Sequence, residues 1–423
     1  MVVIFMTKHM CAEWITNIVN GIISDDAPEN AVKPGTNAFT RDRKLPFGRM
    51  LLMILRGIKS QLVVASKKLF DDLSLTLCPS RQAVSNARTN LQPEYIHQLV
   101  NDHAEVACSC EDSELFAERF RLCAIDGSGV SVNNALSDVY GTQNGAATAL
   151  ASLAYDPLND IILDGTLHPG ATDERDAAET NIEAVERVTG GRETIFIEDR
   201  GYNSREHVSW LIRGERNFVI RARKKYDLTF DNALGRGEWR LFEYEGRSYA
   251  VRVLKVTLDD GEIETLITNV NKCYLPWSQA KELYFERWRI EEKFKELKEK
   301  LALEAMRGKR EVTVLQDYYA TLWLSNFAAM IRWNTDALID ERTDGKNLKY
   351  KRKTDVNWLL TNLRGMFFRC ITEKTEAKRK QLLDSLYAEV ARFDVEVKPG
   401  RHVPRVKKAR IRRCNARNCA GVG

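Results

Sequence analysis

Apolar residues recur with helical spacing through most of the first 115 residues. The segment RMLLMILRGIKSQLVVASKKLFDDL shows this spacing, and CPSRQAVSNARTNLQPEYIHQLVNDH adds signals for two further helices. Ser80 is suited to cap the first of these, a short basic helix, and Pro93 to open the second. With Arg81, Arg88 and amides on an exposed side, this helix pair could enter a DNA groove. It could equally pack against other helices, and the pattern leaves both interpretations open.

At residue 119 the pattern changes to short apolar runs that are typical of strands. FRLCAIDGSGVSV predicts a strand with Asp126 near its end, and ATALASLAYD and IILDGTLHPG predict a hairpin joined by PLND. A helix follows, with Asp173 or Asp176 as its cap, and then the strand of ETIFIEDRGYNS with Asp199 at its C-terminal end. A helix capped by Ser204 and the strand NFVIRARKK complete the series. Three consecutive strands, followed by strands that alternate with helices, predict a mixed α/β layer domain.

Further strands interrupt this alternation at about residues 226–272, where RSYAVRVLKVTL, DDG and EIETLITNV predict an antiparallel β insertion. The predicted organisation has four parts. These are a helical N-terminal region at 1–115, a catalytic α/β domain at 116–310, a C-terminal helical region at 311–397 and a basic tail at 398–423.

The composition is that of a globular chain, with 44% hydrophobic and 29% charged residues. No apolar run approaches the roughly 20 residues needed to span a bilayer, so no membrane contact is predicted. No basic region precedes the apolar N-terminal stretch, which favours a cytoplasmic location. The nine cysteines are scattered without a CxxC pair, which indicates reduced structural thiols.

Positive charge is concentrated at the C-terminus. Between Lys398 and Arg417 the chain has nine lysines and arginines and no acidic residue, whereas its total net charge is only +5. The rest of the chain therefore carries a net negative charge. Such basic arms often bind polyanions, although a solvated tail would have the same composition.

One helical segment, YFERWRIEEKFKELKEK at 284–300, contains five glutamates, of which Glu291 differs from the others. If Tyr284 is set at zero on a helical wheel, Arg287, Glu291 and Lys298 fall at about 300°, 340° and 320°. The apolar stripe covers about 220° to 280° and consists of Leu283, Ile290, Phe294, Leu297 and Leu301. Glu291 therefore lies at the edge of the buried face beside an arginine and a tyrosine. The same arithmetic directs Glu292, Glu296 and Glu299 toward solvent and places Glu286 on the other edge of the stripe.

The spacing Tyr284-x2-Arg287-x3-Glu291-x6-Lys298 matches the Y-R-E-K signature of the insertion-sequence-four family of bacterial transposases, which this chain resembles. CAIDGSGVSV is similar to the strand with the first catalytic aspartate of that family, and FIEDRGYNSREHVSWLIRGERNFVIRARKK to its second aspartate region. The β insertion is similar too, so the resemblance covers roughly residues 115–330. It implies a ribonuclease-H-like catalytic domain with an antiparallel β insertion and helical regions at both ends of the chain.

The resemblance also implies site residues and partners. Asp126, Asp199 and Glu291 would form the catalytic triad and hold two Mg²⁺ (or Mn²⁺) ions, and Tyr284, Arg287 and Lys298 would contact DNA phosphates. The N-terminal region would recognise the transposon ends. The expected partners are double-stranded DNA, both terminal inverted repeats and target, and a second copy of the chain in the synaptic complex. The expected location is the bacterial cytoplasm, in association with the nucleoid.

This chemistry suits the residues. Two divalent cations about 4 Å apart can activate a nucleophile and stabilise the leaving oxygen of a phosphodiester, and Mg²⁺ prefers oxygen ligands. The function predicted is a cut-and-paste transposase that cleaves DNA at transposon ends and transfers the strands into target DNA. Two alternatives stay open. One is a catalytically idle DNA-binding inhibitor or domesticated relative, and the other is a DDE-type nuclease that joins nothing.

Overall fold

A computed structural model describes residues 6–24, 26–40, 45–57, 61–76, 78–223, 228–258 and 261–398. The N-terminal part is helical, as predicted. The described residues there form the α-helices α1 (Lys8–Ser24), α2 (Phe47–Leu55), α3 (Leu62–Asp72), α4 (Arg81–Thr89) and α5 (Pro93–Cys108). The predicted cap is confirmed, because the Ser80 hydroxyl accepts a hydrogen bond from the backbone N–H of Ala83.

One of the two arginines proposed for DNA contact in this region is buried instead. Arg88 is only 6% exposed, and its guanidinium donates to the carboxylate of Asp317 and to the side chain of Gln316. The expectation that Arg88 lies on an exposed side of its helix is therefore wrong. Arg81, by contrast, is exposed.

A mixed sheet forms the centre of the molecule and confirms the predicted fold class. Strands β1 (Arg121–Ser131), β3 (Ala146–Asp156) and β4 (Ile161–Pro169) are antiparallel neighbours, and the two-residue β2 (Thr142–Gln143) pairs with β3. On the other side of β1, β5 (Thr194–Glu198) and β6 (Asn217–Arg221) continue the sheet in parallel. All five residues of β5 are buried, as is typical of a strand covered on both faces.

Two of the helices between these strands begin at the predicted caps. The short α6 (Ser137–Tyr140) precedes β2, α7 (Glu174–Val188) joins β4 to β5, and α8 (Arg205–Arg213) joins β5 to β6. Asp173 caps α7 and Ser204 caps α8, each through its side-chain oxygen.

The predicted antiparallel strands at 226–272 extend this same sheet. After α9 (Leu228–Asp231), strands β7 (Arg236–Tyr244), β8 (Arg247–Thr257) and β9 (Ile263–Thr268) pair in antiparallel order. Strand β9 also pairs with β6, so the hydrogen-bonded order across the sheet is β2-β3-β1-β5-β6-β9-β8-β7.

Helices dominate the C-terminal part of the described chain. They are α10 (Ala280–Phe285), α11 (Trp288–Glu299), α12 (Glu311–Thr343), α13 (Val356–Thr372) and α14 (Glu376–Ala391), with the short strand pair β10 (Arg352–Thr354) and β11 (Asp394–Glu396). The long α12 connects the parts of the fold, because it packs against α1, α5 and α14 and against β4. The Asn326 side chain bonds both backbone groups of Ile162 on β4 at 2.8 Å.

Two further expectations concern the whole chain. The seven cysteines among the described residues are all free thiols. None of the helices in the described ranges is long and apolar enough to cross a membrane. The predicted basic tail lies outside the described residues, apart from Lys398, which pairs with Glu396 at 3.3 Å.

Candidate active site

Strand pairing brings Asp126 and Asp199 to neighbouring positions of the sheet. Strands β1 and β5 run in parallel, and their last paired residues are Ala124 and Ile197. Each aspartate follows its strand's last paired residue by two positions, so both lie where the two strands separate. β1 itself continues to Ser131 in contact with β3, and the expectation that Asp126 lies near the end of its strand is corrected on this point.

Backbone amides orient both carboxylates. The N–H of Gly127 donates to Asp126 Oδ1 at 3.0 Å, and the N–H of Gly201 donates to Asp199 Oδ1. A Cβ atom at position 201 would lie 2.8 Å from Asp199 Oδ1, so glycine is required there for the carboxylate to keep this position. Arg223 holds the same loop by donating to the carbonyls of Arg200 and Gly201.

The segment predicted as one helix at 284–300 is divided in two. Helix α10 ends at Phe285 and α11 begins at Trp288. Between them the N–H groups of Glu286, Arg287, Arg289 and Ile290 each bond the carbonyl three residues earlier instead of four. This tighter winding interrupts the α-helix at the position of Arg287.

The predicted orientation of α11 is largely confirmed. All five residues of the apolar stripe are buried, whereas Glu292 and Glu299 are exposed. Glu296 does not face solvent as expected, since it pairs with the buried Lys293 at 2.8 Å. Lys293 also pairs with Asp160 at 2.7 Å, and this second ion pair ties α11 to the turn between β3 and β4.

Glu291 forms an ion pair with an arginine that also acts on Asp126. Arg287 Nη2 lies 3.0 Å from Glu291 Oε1. The pKa of Asp126 is raised to about 7, mainly by burial; Asp199 and Glu291 add to this rise, whereas Arg287 and the Gly127 amide oppose it. Asp199 and Glu291 are therefore both close enough to Asp126 to act on it electrostatically.

A fourth carboxylate, which the sequence analysis did not single out, borders the same place. Glu174 is the first residue of α7, and its Cδ lies 3.3 Å from the position that a Cβ of residue 127 would occupy. Burial raises the pKa of Glu174, and Asp199 adds to this shift. The only sequence signal was its place directly after the predicted cap Asp173.

The other two residues of the Y-R-E-K spacing lie on either side of Glu291. Tyr284 is buried, its ring lies 5.7 Å from the guanidinium of Arg287, and burial raises its pKa. Among the described residues, neither the Tyr284 hydroxyl nor Arg287 Nε has a hydrogen-bond partner. Lys298 on α11 donates to the Ser128 hydroxyl at 2.7 Å and to the Gly129 carbonyl at 2.8 Å. These bonds place its ammonium group against β1, beyond Asp126.

A buried histidine supports the strand that carries Asp199. His207 on α8 is 1% exposed, and its two ring nitrogens lie 3.1 Å from Glu179 Oε1 and 3.0 Å from Glu198 Oε2. Burial alone would lower the pKa of His207, but Glu198 and Glu179 raise it to about 9. Its two carboxylate neighbours therefore favour the protonated imidazolium, and Glu198 directly precedes Asp199 along the chain.

A cleft opens beside Asp199. It has a volume of about 430 Å³, and its charged lining consists of three arginines and three acidic residues: Arg200, Arg221, Arg223, Asp199, Glu262 and Glu264. Arg221 pairs with Glu264 at 2.7 Å. The cleft therefore extends the carboxylate site into a surface of mixed charge.

Within the described ranges, no three His, Cys, Asp or Glu side chains lie close enough together to hold one metal ion as they stand. The donor set nevertheless suits a hard cation, because every oxygen ligand comes from a carboxylate. Arg287 pairs with Glu291 and lowers the pKa of Asp126, so it already supplies positive charge to these two carboxylates. The glycines at 127 and 201 leave open the space that a side chain would fill.

Comparison with known proteins finds similarity in the central part of the chain. Residues 118–327 match the family model described as a transposase DDE domain. The cryo-EM structure of a piggyBac transposase synaptic complex with hairpin DNA is similar over 90% of this chain and 85% of that chain, with a TM-score of 0.40 and 12% sequence identity. None of the curated proteins matches the sequence.

Proposed function

We propose that this chain, which carries a transposase DDE domain at residues 118–327, cleaves DNA at transposon ends and joins the cut strands to target DNA. The proposal is supported above all by the positions of Asp126 and Asp199, which lie where β1 and β5 separate. Asp199 and Glu291 both act electrostatically on Asp126 and add to the burial that raises its pKa to about 7. Three carboxylates kept together without cations are costly, which indicates a site made for bound cations.

Asp126, Asp199 and Glu291 would hold two Mg²⁺ or Mn²⁺ ions. When bound, such ions activate a hydroxyl nucleophile and stabilise charge on the leaving oxygen. The protein contributes by fixing the carboxylates before the metal arrives. The amides of Gly127 and Gly201 orient the two aspartates, and the ion pairs of Lys293 hold the helix that carries Glu291.

Tyr284, Arg287 and Lys298 are proposed to position the DNA strand. The Tyr284 hydroxyl and Arg287 Nε are buried donors without an acceptor among the described residues, and a phosphate oxygen would supply one. The ammonium group of Lys298 contacts β1 beyond Asp126. A DNA strand that passes the carboxylates would therefore meet this ammonium group next. The functional unit proposed is a homodimer that holds two transposon ends.

Two other functions are compatible with the same fold: an idle DNA-binding protein and a nuclease without strand transfer. One experiment distinguishes all three. A labelled duplex from the DNA that flanks the coding sequence is incubated with the protein, Mg²⁺ and a supercoiled target plasmid. A transposase gives cleaved ends and labelled plasmid, a nuclease without strand transfer gives cleaved ends only, and an idle binding protein gives a retarded duplex without cleavage.

Replacement of Arg287 by lysine is expected to lower cleavage and joining about a hundredfold, even at saturating Mg²⁺. The charge remains, but lysine cannot grip a phosphate bidentately and offers only a point charge. The measurement is the single-turnover cleavage rate across a Mg²⁺ titration, and the optimum Mg²⁺ concentration should equal that of the wild type.

Arg289→Lys is the matched control for this variant. Arg289 lies two residues further along the chain, in the first turn of α11, and also pairs with a glutamate, Glu286, at 3.0 Å. The Arg289→Lys variant should cleave DNA at a rate within a few-fold of the wild-type rate. If excess Mg²⁺ restored Arg287→Lys to full activity, Arg287 would support the metal site through its contact with Glu291, and its assignment to DNA would be withdrawn.

Removal of residues 399–423 is expected to weaken DNA binding and flatten its salt dependence. The deletion removes eight of the nine basic residues of the tail and keeps Lys398 with its partner Glu396. For every phosphate that the shortened protein no longer neutralises, the slope of log affinity against log salt should fall by about 0.9. Fluorescence anisotropy from 50 to 300 mM salt measures this slope, and an unchanged slope would show that the tail is only solvated.

A further inference from the structure

The carboxylate of Glu174 lies close to other carboxylates and is paired with no cation in the described part of the chain. Burial raises the pKa of Glu174, and the negative charges of Asp199 and Asp173 raise it further. Glu291 differs in this respect, because it is paired with Arg287 at 3.0 Å. Carboxylates held beside one another repel, and a bound cation removes that cost. The surroundings of Glu174 therefore favour a cation that the protein itself does not supply.

Two glycines leave the space that the Glu174 carboxylate occupies. The residue as a whole is exposed, but its Cδ lies 3.3 Å from the position that a Cβ of residue 127 would take. Its Oε2 lies 3.9 Å from the corresponding position at residue 201. Residue 127 directly follows Asp126, and the N–H of residue 201 donates to the Asp199 carboxylate. Glu174 therefore lies beside the backbone of both aspartates.

A buried hydroxyl group lies among the same carboxylates. Tyr202 is 0% exposed, and its hydroxyl has no hydrogen-bond partner among the described residues. Burial raises the pKa of Tyr202, and the carboxylates that raise it further are Asp126, Glu174, Glu198 and Asp199. A hydroxyl that is buried without a partner is costly. Its partner is therefore expected to be a molecule that enters the site, and a water held there by a cation would satisfy it.

We infer that Glu174 is a fourth carboxylate ligand of the cations held by Asp126 and Asp199, and that the Tyr202 hydroxyl bonds a water molecule on the same cations. The inference rests on the proposed function and extends its metal site. Mg²⁺ and Mn²⁺ prefer six oxygen ligands and keep several waters, so two aspartates leave ligand positions open. Within the described ranges Glu174 has no ion pair, so it can turn toward a cation without breaking one.

The test is Mn²⁺ binding to the full-length protein without DNA, measured by the electron paramagnetic resonance signal of unbound Mn²⁺. Glu174→Gln keeps the size of the side chain and removes its charge. Asp176→Asn is the matched control, because Asp176 is an exposed acid in the same first turn of α7 and experiences the same helix dipole. Thermal unfolding without metal verifies that each variant is folded.

Glu174→Gln should weaken Mn²⁺ binding about tenfold or more, whereas Asp176→Asn should bind Mn²⁺ within about twofold of the wild type. Mn²⁺ should raise the melting temperature of the wild type and the control more than that of Glu174→Gln. The inference is overturned if Glu174→Gln binds Mn²⁺ as tightly as the wild type, if the control weakens binding equally, or if the wild type binds no Mn²⁺.

Tyr202→Phe tests the hydroxyl separately. Without metal this variant should melt above the wild-type temperature, because it no longer buries a hydroxyl that lacks a partner. It should nevertheless bind Mn²⁺ several-fold more weakly, because the bound water loses a hydrogen-bond partner. Mn²⁺ binding equal to that of the wild type would overturn the role of Tyr202.

Failure of the proposed function looks different. A wild type that binds Mn²⁺ through Glu174, but neither cleaves nor joins DNA, would contradict the transposase proposal and leave the ligand role of Glu174 in place. Cleavage and joining by the wild type, together with unchanged Mn²⁺ binding by Glu174→Gln, would do the opposite.

Discussion

Replacement of Asp126 by asparagine is expected to reduce DNA cleavage at least about a thousandfold, a loss of roughly 4 kcal/mol in transition-state stabilisation. Asparagine keeps the size of the side chain but removes the negative charge that a divalent cation requires. The measurement is single-turnover cleavage with Mg²⁺ and, separately, with Mn²⁺. Binding of the same duplex should be retained, because the carboxylate would hold metal rather than DNA.

Two further measurements distinguish loss of the site from loss of the fold. Asp126→Asn should melt at or above the wild-type temperature without metal, since burial and the neighbouring carboxylates already raise the pKa of Asp126 and disfavour its charge. Mn²⁺ should raise the melting temperature of the wild type but not that of the variant.

Glu292→Gln provides the matched control on α11. Because Glu292 is exposed, Glu292→Gln should leave the cleavage rate almost unchanged. Glu291→Gln, by contrast, should reduce cleavage as Asp126→Asn does. Inactivation by Glu292→Gln, or cleavage by Asp126→Asn within tenfold of the wild-type rate, would contradict the proposed triad.

Local periodicity was sufficient to predict the orientation of α11. The apolar stripe that includes Ile290 and Leu297 depends on residues three and four apart, so the sequence contains all the information needed to place Glu291 at its edge. Caps such as Ser80 and Ser204 are predictable for the same reason, because donor and acceptor lie within three residues of each other.

Features that depend on distant partners could not be predicted in this way. Arg88 is buried because Asp317, far away along the chain, neutralises it, and without that partner an arginine is expected to be exposed. Glu296 is drawn from solvent because its neighbour Lys293 is itself held by the distant Asp160, and Glu174 reaches the site only because α7 begins beside the sheet. The interruption at Arg287 likewise has no local breaker, since neither proline nor glycine occurs there.

His207 is the buried charge whose loss should destabilise the fold most. Replacement by glutamine leaves Glu198, which is fully buried, without its positive partner. Removal of one member of a buried ion pair typically costs about 3–5 kcal/mol, because the remaining charge is uncompensated. Urea unfolding at pH 7, followed by tryptophan fluorescence, should therefore show a much lower midpoint for His207→Gln. The double variant Glu198→Gln/His207→Gln should recover most of the loss, since no charge is then left buried.

The pH dependence of stability provides an independent test of this buried imidazolium. The pKa of His207 is raised from 6.5 to about 9 in the folded protein, so its stabilising contribution is complete below about pH 6.5 and is lost as the pH rises through 9. This pKa shift corresponds to a loss of about 3 kcal/mol of unfolding free energy as the pH rises from about 6.5 to 9. Wild-type protein should therefore lose unfolding free energy between pH 7 and 9.5, and the double variant should lose much less. Parallel profiles for the two proteins would show that His207 is neutral in the folded state, and the ion pair behind Asp199 would then have to be rejected.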